Sequence, residues 1–369
     1  MSDGFSTWLE IDLESIRKNI RLLRQLTQTP VMAIVKANGY GHGAIESARA
    51  AVEAGAEWCG VARFEEAMAL RKAGIGCHLL VMGYTPPACL GEAIAEKISL
   101  TIYDLELGEL YPRHLPKIGE PLRVHVKVDT GMGRLGIRPE EALPLVEKLS
   151  NQAGMVVEGL CTHFSKADEM DRSFTERQLS KFIPLVEELV KRGLRPPVIH
   201  AANSAAAIQY PESRFDLVRP GIAIYGLNPS SEAPLPDGFT PSLTWKARLT
   251  SRKVLPPGHS ISYGGIYTTR TEELIGVVPV GYADGFRRVA GELVLLHGRR
   301  VEVVGRVCMD QCMLQLNDVP EARIGDEVIL LGSQGDERIS AEEIARRWDT
   351  INYEVVCGLS NRLPRIYLG

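Results

Sequence analysis

The stretch VMAIVKANGYGHG, residues 31–43, sets five apolar residues, Val31 to Val35, ahead of a single lysine, Lys36, and a turn through Asn38, Gly39, Tyr40 and Gly41. An apolar run of this length, ended by turn residues, reads as a strand buried on both faces. Lysine is strongly hydrated and seldom ends such a strand without a partner or a task. The same rhythm recurs down the chain. Further strands are expected at 58–63, 78–82, 98–103, 123–128, 156–163, 198–202 and 216–219, which with 31–35 makes eight. Amphipathic helices are expected between them at 14–26, 64–73, 138–150 and 174–192. Strands alternating with helices imply parallel pairing through crossovers, and eight units suggest a closed (β/α)8 barrel of TIM type. An open doubly wound sheet satisfies the same periodicity, because periodicity does not encode closure.

Past GLNPSSEAPLPDG, residues 226–238, the rhythm changes. That stretch reads as a linker. Beyond it come short β-rich runs at 243–254, 274–280, 292–296, 300–307, 311–316 and 326–331, with helical character only at 340–348. The opening TWLEIDL alternates like a strand and is free to pair with them. The expected domains are therefore a barrel over 11–235 and a mainly β C-terminal domain over 236–369 that takes in an N-terminal strand from 1–10.

Bulk properties narrow the class. The 369 residues are 45% apolar and 24% charged, the balance of a globular protein. A net charge of −4 without any basic run argues against nucleic acid or an anionic membrane surface as partner. No apolar run approaches the roughly 18–20 residues of a membrane span. The polar, acidic start has no signal core, so a cytoplasmic location is expected. Seven scattered cysteines without CxxC pairs read as reduced thiols, with no metal site implied.

In a barrel, residues at the carboxyl ends of the strands and in the loops after them face the site. Lys36 ends the first strand. Lys127 lies in the fifth, and Arg134 in the DTGMGRLG turn after it. His163 ends the sixth, Asn203 and Ser204 follow the seventh, and Arg219 ends the eighth. Each member alone has a bland reading: a solvated lysine, a tethering arginine, a core histidine. Their convergence on one rim does not. No Walker-type loop is present. Ser204 and the Gly221-Ile222 turn nevertheless offer a hydroxyl and N–H groups where barrels commonly bind phosphate. A phosphorylated aldehyde would place its phosphate there and its carbonyl at Lys36, and pyridoxal 5′-phosphate (PLP) meets both demands.

The motifs AIVKANGYGHG, KVDTGMGRLG, THFSKAD, HAANSAA, RPGIAIYG, ISYGGIY, VPVGYADGF, GRVCMDQ and LSNRLPR resemble, in order and spacing, those of the alanine racemase family. The resemblance spans nearly the whole chain. It implies a fold-type III PLP enzyme, a barrel followed by a β domain, acting as a homodimer. The activity implied is interconversion of L- and D-alanine through an external aldimine and two bases, supplying D-alanine for peptidoglycan. Lys36 would be the Schiff-base lysine and one base. Tyr263, from the partner subunit, would be the other. Arg219 would meet the pyridine nitrogen, with His163 behind it. Arg134 would face the phenolate and the substrate carboxylate. Lys127 matches a position carbamylated in many members. Tyr40, Ser204, Gly221, Ile222 and Tyr353 would hold the phosphate, with Asn203 adjacent. Met309 and Asp310, again from the partner, would meet the substrate carboxylate, while Tyr282 and Tyr353 narrow the entrance.

Three rivals share parts of this pattern. Fold-type III decarboxylases typically put an acidic residue at the pyridine nitrogen, where Arg219 stands here. A PLP-carrying regulatory barrel lacks a β domain. A racemase of another small amino acid, such as serine, is not excluded by anything physical. LSNRLPR departs from a more usual serine-alanine-arginine ending, and the YGG glycine lies where members vary. Neither touches a named catalytic position.

Overall fold

The computed structural model describes residues 4–116 and 119–369; residues 1–3 of the expected N-terminal segment lie outside it. The chain forms two compact units. One takes Ser15–Gly39 and Gly43–Thr240; the other takes the chain up to Glu14, Tyr40–His42 and Pro241–Gly369. Strand β1 (Thr7–Asp12) belongs to the second.

The first unit holds seven parallel strands in sequence order: β2 (Met32–Ile34), β3 (Trp58–Val61), β4 (His78–Val81), β5 (Ile98–Ile102), β6 (Leu122–Lys127), β7 (Met155–Cys161) and β8 (Val198–His200). The expected eighth strand, 216–219, is reduced to one parallel bridge between Val218 and Val31. It still closes the ring. Met32 N–H donates to Val218 O and Ile34 N–H to Pro220 O on one side. Asp216 N–H donates to Ile199 O and Arg219 N–H to Ala202 O on the other. Closure leaves no sheet edge to be covered.

Helices follow the strands. The helix Leu13–Thr27 buries Ile16, Ile20 and Leu23, one apolar stripe at helical spacing. The expected linker 226–238 is no free tether: Ser230 Oγ–H donates to Asp168 O and Glu232 accepts from Met170 N–H, while at its flanks Asn19 of this helix accepts from Thr240 N–H and donates to Thr240 O and Ile224 O. The helix Ser173–Lys191 buries Gln178, an unexpected polar residue on a core face. Its amide is satisfied, donating to Thr130 Oγ1 and His163 O and accepting from Ser165 N–H.

The second unit is built on a ten-stranded sheet. Within it β1 lies between β9 (Leu243–Arg248), antiparallel, and a C-terminal strand, Arg365–Leu368, parallel. The expected run 243–254 breaks at Leu249-Thr250 into β9 and β10 (Ser251–Leu255), because β9 pairs with β1 whereas β10 pairs with Glu273–Val278. A second helix, Asn352–Cys357, accompanies Ala341–Arg347. The sequence reading missed it because a six-residue segment is too short to show helical periodicity. Among the described residues no helix is long and apolar enough to cross a membrane.

Candidate active site

Lys36 leaves β2 into an unusual turn. Ala37, Asn38, Gly39 and Tyr40 all take left-handed backbone angles, with φ of 52°, 53°, 62° and 52°. Each non-glycine residue there costs on the order of 1–2 kcal/mol, so a consecutive run needs support. Support comes from Gly39 N–H to Val35 O at 2.9 Å and Gly43 N–H to Asn38 O at 2.8 Å. The Asn38 side chain accepts from Ala44 N–H at 3.1 Å. Glu66, in the first turn of the helix Phe64–Lys72, accepts from Ala37 N–H at 2.7 Å with one oxygen and from Ala62 and Arg63 N–H with the other. One carboxylate thus ties the lysine turn to the helix after β3.

Arg219 is buried, and all its hydrogen-bond partners are neutral. Nη1 lies 2.8 Å from His200 Nδ1; Nη2 meets Thr162 O at 2.7 Å, Ala201 O at 2.9 Å and His163 Nδ1 at 3.2 Å. Its Nε–H donates to none of the described residues. Burial lowers its pKa from the ordinary value. Burial also takes His163 well below the ordinary imidazole value, helped by Arg219, Lys127, Arg134 and Lys36. The ring is therefore a neutral acceptor toward Arg219.

Lys127 ends β6 and is half-buried, with no ion pair among the described residues. Burial pulls its pKa down; Cys161 opposes, Arg219 and Arg134 reinforce, and Asp129 opposes. Arg134 is exposed on the following loop. Asp129 shapes that loop by accepting three N–H bonds, from Gly131, Met132 and Gly133, each at 2.8 Å. Gly136 closes it at φ +133°, where a Cβ would meet Asp129 N at 2.5 Å.

Ser204 Oγ accepts from Gly221 N–H at 2.9 Å and Ala223 N–H at 3.4 Å, which leaves its own proton to donate outward. Ile222 N–H has no acceptor among the described residues. Asn203 is occupied locally: its side-chain oxygen caps the Ser204–Gln209 helix through Ala206 N–H at 3.0 Å.

The remaining expected residues lie in the β unit. Tyr40 is buried and stands 6.1 Å, ring to ring, from Tyr353. Burial, then Cys357, raises its pKa far above the ordinary phenol value, so it stays a neutral hydroxyl. Tyr263, 69% exposed, follows Ser262, whose hydroxyl donates to Arg306 O at 2.6 Å. Tyr282 and Met309 are also exposed, on segments joined by Tyr282 N–H to Cys308 O and Ala283 N–H to Met309 O, both 3.0 Å. Asp310 pairs with Arg362 at 2.8 Å, and Arg362 reaches on to the buried Asp284 at 2.6 Å.

Comparison with known proteins decides the family. The profile described as "Alanine racemase, N-terminal domain" matches residues 11–229, and "Alanine racemase, C-terminal domain" matches 242–367. The alanine racemase of Symbiobacterium thermophilum is 47% identical over 366 residues, covering 98% of this chain and 97% of the relative. The chain belongs to the alanine racemase family. The alanine racemase of Geobacillus stearothermophilus is 44% identical, covering 98% of this chain and 93% of its own length. Among solved structures, alanine racemase from Bacillus anthracis with bound L-Ala-P superposes with a TM-score of 0.93 at 39% identity, covering 99% of this chain and 95% of that one. The E. faecalis alanine racemase gives 0.93 at 40% identity, covering 99% of both.

Two groups of this alanine racemase family chain escaped the strand-end reading. His200, which receives Arg219, sits inside VIHAA, and its signal was a polar residue interrupting an apolar strand. Glu66 carried no signal, because an acidic residue in a first helical turn is ordinary.

Proposed function

We propose that this chain interconverts L-alanine and D-alanine with pyridoxal 5′-phosphate held on the barrel rim, as a homodimer in the cytoplasm, supplying D-alanine for peptidoglycan. The observation that carries this is Arg219: a buried guanidinium with both Nη groups on neutral partners and an Nε–H left for a ring nitrogen. Other donors of the chain fit the cofactor by their chemistry. Ser204 Oγ–H, Ile222 N–H and the Tyr40 and Tyr353 hydroxyls suit a phosphate, and Lys36 suits its aldehyde.

When bound, the cofactor supplies an electron sink for the charge left on the substrate α-carbon. The chain's own groups do the rest. Lys36 Nζ removes or returns the α-proton on one face. Tyr263 Oη, from the partner subunit, serves the other. Two bases invert the centre without turning the substrate over. A phenol ionises near pH ~10, so its activation requires nearby positive charge. Arg134, with the partner's Met309 and Asp310, orients the substrate carboxylate, and Tyr282 and Tyr353 restrict the entrance. Lys127 is carbamylated on this reading: its neutral amine attacks CO2, a C–N bond forms, one proton leaves, and the new anion pairs with Arg134.

The test is an assay of D-alanine formed from L-alanine by cofactor-loaded protein, run beside serine and with CO2 evolution monitored. Alanine turnover without CO2 is expected. Faster serine turnover would transfer the assignment to a serine racemase, and CO2 release would overturn racemisation altogether. The two-base assignment has its own test: Tyr263→Phe should retain the cofactor's absorbance yet lose solvent-deuterium exchange from one enantiomer. Symmetrical residual exchange would contradict it.

A further inference from the structure

The barrel interior is not wholly apolar. Behind Arg219, away from the rim, a column of polar side chains runs down the axis between β6, β7 and β8. His200 Nδ1 accepts from Arg219 Nη1 at 2.8 Å. His200 Nε2 lies 2.7 Å from His125 Nδ1, and His125 Nε2 lies 3.2 Å from Glu158 Oε2. Ser99 Oγ–H donates to the same carboxylate, and Arg123 pairs with its other oxygen at 3.3 Å. His125, His200, Ser99 and Glu158 are all buried.

Chemistry gives the column a direction. A guanidinium only donates, so His200 Nδ1 must accept and its proton must sit on Nε2. That proton points at His125 Nδ1, which must therefore accept, placing the second proton on His125 Nε2. Glu158 receives it. Every donor points one way, from a cation to a carboxylate, through two neutral rings. Burial, the largest cause at both rings, holds His125 and His200 below the ordinary imidazole value.

The backbone is shaped for this column. The β6–β7 register runs Val124 to Val157, then shifts so that His125 faces Gly159, leaving Glu158 as an extra residue in β7. Bulges of this kind re-aim a side chain. Gly159 supplies the space: a Cβ there would lie 2.2 Å from His125 Nδ1. Trp58 meets the His125 ring edge-on, centroids 5.5 Å apart. A ring that only filled space would need neither the bulge nor the glycine.

We propose that Glu158 and His125 are positioning residues for Arg219: through His200 they fix a single tautomer chain that aims the guanidinium at the cofactor ring. This rests on the assignment of Arg219 to the ring nitrogen. Without Glu158 the column loses its anionic terminus, and the flipped tautomer, which turns His200 Nδ1–H against an Arg219 N–H, gains population.

The experiment uses cofactor-loaded enzyme with 15N-labelled histidine and the isosteric Glu158→Gln, whose amide can offer His125 either an oxygen or an NH2. Wild type should show both rings neutral and protonated on Nε2, an outcome that does not depend on activity. In Glu158→Gln both rings should populate the Nδ1–H tautomer. Its kcat should fall about tenfold in both directions with KM within about twofold, the scale of one charge-assisted hydrogen bond. Arg123→Ala, which spares the column, should behave as wild type. An unchanged kcat in Glu158→Gln overturns the proposal, and so does a loss of kcat with the tautomers unmoved, which would mark a structural defect. His125→Gln, which cuts the column one step nearer Arg219, is the second variant and is read at His200 by the same two measurements. Failure of the Arg219 assignment itself would show differently: wild-type tautomers as drawn, but no change in the cofactor's absorbance in Arg219→Lys.

Discussion

A guanidinium at a ring nitrogen donates hydrogen bonds but keeps its protons. On the proposed reading Arg219 therefore leaves the cofactor ring uncharged, so the α-carbon charge is short-lived and is reprotonated before side chemistry intervenes. Arg219→Glu reverses this. Keto acid formed per racemisation event should rise by about tenfold or more, a barrier change of about 1.4 kcal/mol, measured with the cofactor verified as bound; unchanged fidelity would refute the argument. Lys127 makes a second residue-scale case. Its lowered pKa favours the neutral amine, the form that captures CO2, and the positive charge of Arg134 acts on the same site. Equilibration with 13C-bicarbonate should give a carbamate resonance that is absent from Lys127→Ala. The rim residues were legible because strand-end polar groups stand out against apolar runs. His200, Glu158 and His125 were not, because a lone polar residue inside a strand looks the same whether it is a satisfied core group or part of a column. Only the register shift at Glu158 tells the two apart.

At the scale of elements, the parallel strands were legible because burial on both faces makes them continuous apolar runs. The eighth was expected as a full strand, but one bridge suffices where its neighbours' hydrogen bonds already close the ring. The DTGMGRLG loop read as glycine punctuation, whereas its shape depends on Asp129 and on Gly136. Gly136→Ala would force a Cβ to 2.5 Å from backbone, so it should cost about 1–3 kcal/mol of stability and displace Arg134. A rise in KM for alanine in the variant would report the displacement. The barrel interior also sets a pH response. His125, His163 and His200 all have folded pKa values below the unfolded value. The unfolded chain then takes up protons that the native state refuses, so stability is fully present above about pH 6.5 and declines as pH falls through it. The slope should approach about 1.4 kcal/mol per pH unit for each histidine. Glu158, whose folded pKa is lowered, adds a further loss only at more acidic pH. Denaturant midpoints should be flat from about pH 8 to pH 7 and fall below that; a flat profile through pH 5.5, about a unit under the ordinary imidazole value, would mean the rings titrate freely.

At the scale of the whole molecule, the exposure of Tyr263, Tyr282 and Met309 is the feature a single chain leaves unexplained. On the proposed reading this exposure is accounted for by a site shared in a two-fold dimer, in which each subunit presents its own groups to the other's cavity. Mixing tests this directly. Lys36→Ala and Tyr263→Phe homodimers should each fail to racemise in either direction, because one base must take the α-proton and the other return one. In a hybrid, one site receives the alanine from its own chain and the phenylalanine from its partner, so both defects fall together. The other site then has an intact lysine and an intact tyrosine. Random reassortment of equal amounts makes half the dimers hybrid, each with one working site, so about one quarter of wild-type activity should return. Recovery should require subunit exchange and vanish if the mutants are cross-linked as homodimers before mixing. Were lysine and tyrosine drawn from the same chain, every site in every mixture would carry a defect, and no ratio of the two variants would restore turnover.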